Sequence, residues 1–291
     1  MFFITFVALK KLKKSNTLKL PNIVVRILAG IVFISLLLGG ILISEYTFAI
    51  IFSLVTALCL FEFYGLIEKG AKVQMLRPLN ILGGFFLFLG GFYFSVFTPS
   101  VTAFFPYILY LFSLFILSLY LKQENPIQSV AYSLLGQVYI AIPFTLTNYL
   151  VFAYEPGSYH FVHILALLVI IWINDTFAYL TGMAFGKHRL FERISPKKSW
   201  EGFIGGAAVS ISSSLIFAHF FPNLSTIEWI GFAAVTVVFG TWGDLFESLM
   251  KRTLKVKDSG GMIPGHGGIL DRFDSTILAI PAVFVYLLLI R

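Results

Sequence analysis

Nine apolar runs, each long enough to cross a bilayer, divide this chain of 291 residues near 23–43, 46–67, 79–98, 101–121, 130–152, 161–185, 202–221, 226–250 and 274–290. Hydrophobic residues make up 58% of the chain and charged ones 12%, with a mean hydropathy of +0.90. A soluble domain carries about 25% charged residues and needs a polar skin. The solvent for most of these side chains must therefore be lipid or other helices. The expected fold is all-α, a polytopic integral membrane protein of about nine transmembrane helices.

Charge placement supports that count. Alternating the nine spans sorts Lys10, Lys11, Lys13, Lys14, Lys19, Arg26, Lys69, Lys72, Arg77, Lys122, Lys187, Arg189, Arg193, Lys197, Lys198, Lys251, Arg252, Lys255, Lys257 and Arg272 to one side. Only Arg291, of the 21 Lys and Arg, falls opposite. A wrong number of spans would scramble the partition, so the basic side is read as cytoplasmic. The expectation is a multi-pass protein of the inner (cytoplasmic) membrane with its N-terminus and polar loops in the cytoplasm and its C-terminus opposite. The net charge of +7 is then topological first, and no nucleic-acid partner is expected.

The single cysteine, Cys59, lies inside an apolar run, which excludes an intramolecular disulfide and a thiolate metal cluster. The apolar Met1–Leu9 precedes the lysine cluster, the reverse of a cleavable leader. Residues 1–160 read as five scaffold helices giving access to lipid, with isolated charges such as Glu62. Residues 161–291 hold four helices and most of the polar chemistry, within 172–201 and 244–274.

The first polar segment places Asn174 and Asp175 inside a span, where an ionisable side chain is costly unless it faces protein, water or a cation. It continues to the basic loop Ser195-Pro196-Lys197-Lys198. In the second segment, Asp244, Glu247, Ser248 and Lys251 are spaced to form one polar stripe at the end of the eighth helix. The Pro264-Gly265-His266-Gly267-Gly268 turn lets backbone approach a ligand, and Asp271 and Asp274 follow at the mouth of the ninth helix. Carboxylates with no cysteine and few histidines are a hard oxygen donor set suited to Mg²⁺ bound together with substrate phosphates. Lys251, Arg252, Lys257 and Arg272 would meet those phosphates. The combination points to phosphoryl or nucleotidyl transfer. His160 and His163 could ligate a metal, but no acidic residue accompanies them.

Ser248-x-x-Lys251-Arg252-x4-Lys257-Asp258-x-Gly260-x-x-Ile263-Pro264-Gly265-His266-Gly267-Gly268-x-x-Asp271-Arg272-x-Asp274 resembles, position for position, the signature of phosphatidate cytidylyltransferases, also called CDP-diacylglycerol synthases. The stretch Ile194-Ser195-Pro196-Lys197-Lys198-Ser199-Trp200-Glu201-Gly202 is similar to a second conserved loop of that family. The resemblance implies a membrane nucleotidyltransferase that converts CTP and phosphatidic acid to CDP-diacylglycerol and pyrophosphate with Mg²⁺, for phospholipid synthesis. Carried over, it implies Asp244 and Asp271, then Asp274, as metal ligands, with a second metal ion compatible with the same set. Asp244, Lys251, Arg252, Asp271 and Arg272 become the expected catalytic residues. Asn174, Asp175, Lys197, Lys198, Ser248, Lys257, Gly265, His266, Gly267 and Gly268 become the expected substrate contacts. Bilayer lipid is an expected partner, and a homodimer is compatible with the pattern.

Other readings leave more unexplained. A CDP-alcohol phosphotransferase would need an Asp-Gly-x-x-Ala-Arg pattern that this sequence lacks, and a CTP-dependent lipid kinase would release CDP rather than pyrophosphate. A transporter relay could use Asp175 but leaves the 248–274 pattern without a role.

Overall fold

The computed structural model describes residues 22–97, 99–152, 157–256, 258–263 and 267–290. The lysine cluster at 10–19 and Arg291 lie outside them. In chain order the helices are α1 Asn22–Ile43, α2 Glu45–Gly70, α3 Arg77–Val96, α4 Phe105–Tyr120, α5 Pro126–Gly136, α6 Ile142–Phe152, α7 Val162–Phe185, α8 Trp200–Phe220, α9 Thr226–Thr253 and α10 Leu270–Leu289. A short 3₁₀ turn, Val101–Phe104, leads into α4, and a π-helical turn, Gln137–Ala141, joins α5 to α6 as one span. Among the described residues, eight spans are long and apolar enough to cross a membrane, and Ile27–Ile43 of α1 is a shorter apolar helix. The nine expected runs are thus all helical, and the protein is a multi-pass all-α membrane protein. The one addition is an antiparallel hairpin, β1 Arg189–Phe191 and β2 Ser195–Ser199, within what the sequence offers only as a basic loop.

The bundle is organised around α2. Its apolar window is 67% buried, against 11% for the 101–120 span, so α2 is central and α4 peripheral. Phe48, Phe52 and Phe63 of α2 are fully enclosed, and Phe144 meets Phe273 of α10 edge-on at 5.4 Å. Polar groups in this half bond to each other. Tyr64 donates to the Ser133 carbonyl at 2.8 Å, Asn80 to Ser133 Oγ at 2.7 Å, Gln137 to the Asn80 carbonyl at 2.8 Å, and Tyr110 to Asn80 Oδ1 at 3.2 Å. A buried amide or hydroxyl without a partner would cost about 1–3 kcal/mol, so this network fixes how α2, α3, α4 and α5 sit together.

The basic loops gather at one end. Arg77 pairs with Glu68 at 3.2 Å beside the α2–α3 loop, and Gly70 lies against Leu254 just beyond α9. Gln123, after α4, donates to the Gln74 carbonyl at 3.5 Å. The hairpin and the α9–α10 loop meet on the same face, as described below.

Small residues set the approach of α7 and α8. A Cβ at Gly202 would stand 2.7 Å from the Ala178 carbonyl oxygen, and one at Gly206 would stand 2.8 Å from that of Asn174. Both obstacles are backbone, which moves only if the helices separate. Gly206→Ala should therefore lower the thermal unfolding midpoint in detergent, by an overpacking cost of about 1–3 kcal/mol. Gly261→Ala, where a Cβ would meet nothing within 4 Å, should leave it unchanged. Equal midpoints for the two variants would remove the close helix contact from the account.

Candidate active site

The end of α9 and the start of α10 carry the acidic groups. Along α9 the expected stripe forms: Ser248 Oγ donates to Asp244 Oδ1 at 3.3 Å, and Lys251 Nζ pairs with Glu247 Oε2 at 2.6 Å. Glu247 is completely buried, and its Oε1 has no hydrogen-bond partner. Lys251 also reaches Asp271 Oδ1 on α10 at 2.8 Å. One ammonium thereby joins a carboxylate from each helix. Gly243 permits this closeness, since a Cβ there would stand 2.5 Å from the Asp274 carbonyl oxygen.

Asp271 also shapes the loop before it. Its carboxylate accepts from the Ser259 N–H at 3.1 Å and from the Gly268 N–H at 2.9 Å. Lying in the first turn of α10, it also gains from the positive end of the helix dipole. The loop doubles back where the Ile263 N–H bonds to the Gly267 carbonyl at 3.0 Å. Gly267 holds φ at +86°, a left-handed conformation that a side chain would strain, and a Cβ there would also crowd Asp271 Oδ2 at 2.9 Å.

A second group centres on Asp244. Lys198 Nζ forms an ion pair with its Oδ2. In β2, Lys197 is exposed while Lys198 turns inward to α9. The rest of the motif around them is structural. Ser199 caps α8 by accepting from the Gly202 N–H at 3.1 Å, Trp200 donates its N–H to the His188 carbonyl at 2.9 Å, and Glu201 accepts from the Lys187 and His188 amides and from His188 Nδ1 at 2.6 Å. Asp175 of α7 is exposed toward this group, within electrostatic reach of Asp244 and Lys198. Asp274 lies within reach of Asp244, Glu247 and Asp175.

The expected site residues divide accordingly. Asp175, Lys198, Asp244, Ser248, Lys251, Gly267, Gly268, Asp271 and Asp274 come together. Arg252, Arg272 and Lys197 are exposed on the same face. Asn174 turns instead to α8, its Oδ1 2.8 Å from a Cβ placed at Gly206. Lys257, Gly265 and His266 lie outside the described residues. His160 and His163 are held locally: His160 Nε2 is 3.0 Å from Ser158 Oγ, and His163 Nδ1 is 3.2 Å from the Leu150 carbonyl.

Sequence reasoning passed over Glu62. This buried α2 carboxylate accepts from Ser259 Oγ at 3.1 Å and from the Leu270 N–H at 2.9 Å, and it closes against Gly260 and Gly268. Its signal was present in the sequence, an ionisable residue isolated in a long apolar run. Nothing local, however, says which distant loop it serves.

The donor chemistry suits a hard divalent cation. Asp175, Asp244, Glu247, Asp271 and Asp274 outnumber Lys198 and Lys251, and all offer oxygen. Among the described residues, no three acidic, histidine or cysteine side chains form a ready cage. Lys198 occupies one oxygen of Asp244 and Lys251 one of Asp271.

A family model described as the cytidylyltransferase family matches residues 24–290. Phosphatidate cytidylyltransferases of Staphylococcus aureus (strain COL) and Staphylococcus epidermidis (strain ATCC 12228 / FDA PCI 1200) are each 40% identical to this chain, over 168 and 170 residues respectively. Each match covers 57% of this chain, which spans 62% of the length of these curated relatives.

Removing Lys251 tests the bridge. Lys251→Met leaves Glu247 buried and uncompensated, and the loss of one partner of a buried pair costs about 3–5 kcal/mol. The unfolding midpoint should fall, and adding Glu247→Gln should restore part of it. A single variant that melts like the parent would exclude Lys251 as the tie between α9 and α10.

Proposed function

The chain belongs to the cytidylyltransferase family, and from that membership we propose that it joins CTP to phosphatidic acid, releasing pyrophosphate and leaving CDP-diacylglycerol in the bilayer. The observation that carries the reading is the convergence of carboxylates from α7, α9 and α10 with Lys198 and Lys251, on the face where the basic loops meet. The relatives' printed name, phosphatidate cytidylyltransferase, supports the choice of substrates.

An oxygen of the lipid phosphate attacks the α-phosphorus of CTP. As the new P–O bond forms, the bond from the α-phosphorus to the oxygen bridging it to the β-phosphate breaks, and pyrophosphate leaves with that electron pair. The attacking phosphate is already anionic at neutral pH, so no general base is required. The barrier is the repulsion and alignment of two anions, which favours an in-line displacement without a covalent enzyme intermediate. Lys198 can exchange Asp244 for a phosphate oxygen, and Arg252 and Arg272 extend the cationic surface. The Gly267–Gly268 backbone lets the loop lie close to phosphate.

Mg²⁺, when bound, would neutralise phosphate charge and polarise the reacting phosphorus. Asp244 and Asp274 are its first candidates, with Asp175 beside them. Asp271 joins if it gives up Lys251 or a loop N–H. The lipid would enter sideways from the membrane and CTP from the basic side, taken as cytoplasmic from the charge partition.

Purified protein in detergent, given labelled CTP, phosphatidic acid and Mg²⁺, should form a CDP-lipid with one pyrophosphate per turnover. Chelation should stop the reaction and Mg²⁺ restore it. Asp244→Asn should lower turnover at least about a hundredfold, the scale for losing one electrostatic stabiliser of a transition state, with little change in the unfolding midpoint. Uptake of an anionic solute without CTP turnover would replace this reading with a transporter.

A further inference from the structure

The span Pro126–Phe152 is interrupted at Gln137–Ala141, where the Ile142 N–H reaches back five residues to the Gln137 carbonyl. A π-helical turn has poorer geometry than the α-helix it interrupts and commonly marks a functional position. Here it allows two polar residues to serve different directions. Gln137 donates to Tyr64 Oη at 3.0 Å and enters the network of the first half. Tyr139, two residues on, faces α9, its ring 5.2 Å from that of Phe246 and 6.2 Å from that of Phe63 on α2.

Tyr139 is only 8% exposed, and its hydroxyl is buried without a hydrogen-bond partner. Other tyrosines of the bundle are satisfied: Tyr64 donates to Ser133, Tyr110 to Asn80, Tyr159 to the Ile41 carbonyl and Tyr286 to the Glu228 carbonyl. Phe246, against which Tyr139 packs, lies between Asp244 and Glu247 in sequence. The ionisable groups that bear on the hydroxyl are Glu247, Asp274, Cys59 and Asp244. A neutral O–H donor thus stands beside the acidic group yet bonds to none of its members. An oxygen held between the hydroxyl and the carboxylates would satisfy it.

We infer that Tyr139 is a substrate-binding residue, contributed by the first half of the chain, whose hydroxyl donates to a phosphate oxygen of bound nucleotide. The inference rests on the proposed activity, which brings a polyphosphate to this acidic group. A phenol suits the position because it supplies a donor without adding a charge that would compete with Lys198 and Lys251 for the same carboxylates. Its rigid ring, fixed between Phe63 and Phe246, holds that donor in place.

Tyr139→Phe keeps the ring and removes only the hydroxyl. CTP affinity by equilibrium binding and kcat/KM for CTP should both fall about ten- to a hundredfold, the value of one hydrogen bond to a charged oxygen. The KM for phosphatidic acid should not change. The unfolding midpoint without nucleotide should stay level or rise, since an unsatisfied buried hydroxyl is lost. Parental CTP affinity and kcat/KM in the variant would overturn the inference, as would a drop in the nucleotide-free midpoint, which signifies an internal bond. If the parent protein itself neither binds CTP nor forms CDP-lipid, the proposed activity fails and the inference with it. If the parent is active and the variant matches it, only the role of Tyr139 is lost.

Discussion

One ammonium ties the last two membrane helices together where the polar chemistry lies. Lys251 meets Glu247 of its own helix and Asp271 of the next, and both carboxylates are almost wholly removed from water. A buried ion pair is seldom a net source of stability, because desolvating both charges offsets their attraction. Its effect here is positional. Any arrangement of α9 and α10 that separates Asp271 from Lys251 leaves the Asp271 carboxylate without its ammonium, so competing registers are penalised. Fixing that register fixes Asp271, and Asp271 in turn collects the amides of Ser259 and Gly268 that give the intervening loop its path.

Much of this was legible in the sequence because a bilayer leaves few choices. All nine apolar runs became helical, eight of them long enough among the described residues to cross a membrane, and the spacing of Asp244, Glu247, Ser248 and Lys251 became a bonded stripe, because helical periodicity is local. The spacing of Gly202 and Gly206 suits a helix-packing face, but spacing alone names no partner helix. The hairpin at 189–199 could not be read, since it is closed at its base by Glu201 reaching back to the Lys187 and His188 amides. Local pattern does not encode such a return contact. Asn174 and Asp175 illustrate the same limit. They are neighbours in sequence and both polar within a span, yet a helix turns 100° per residue. One faces the glycines of α8 and the other the acidic group.

The two motif segments also divide their labour in a way that composition alone conceals. In 194–202, Ser199, Glu201 and Gly202 cap, close and pack, leaving the lysines free to differ: Lys198 inward on Asp244, Lys197 outward. In 258–274, Gly267 and Gly268 serve the turn, and Asp271 serves the loop as much as any ligand. Residues that look catalytic by type can therefore be structural by position. Lys198 and Asp244 are different: their ion pair is partly exposed and joins the hairpin to α9.

Glu62 extends the site into the first half of the chain. Its carboxylate accepts from Ser259 Oγ and the Leu270 N–H, so the loop and the start of α10 are seated on α2 rather than only on each other. The neighbouring Phe63 supports Tyr139 from the same helix. A segment bearing only the two polar motifs would leave the Leu270 amide without its acceptor at a helix start, where unmet N–H groups are costly. The polar signature is thus incomplete as a physical unit. The central helix, scaffold by composition, supplies the buried acceptor against which the acidic loop is set.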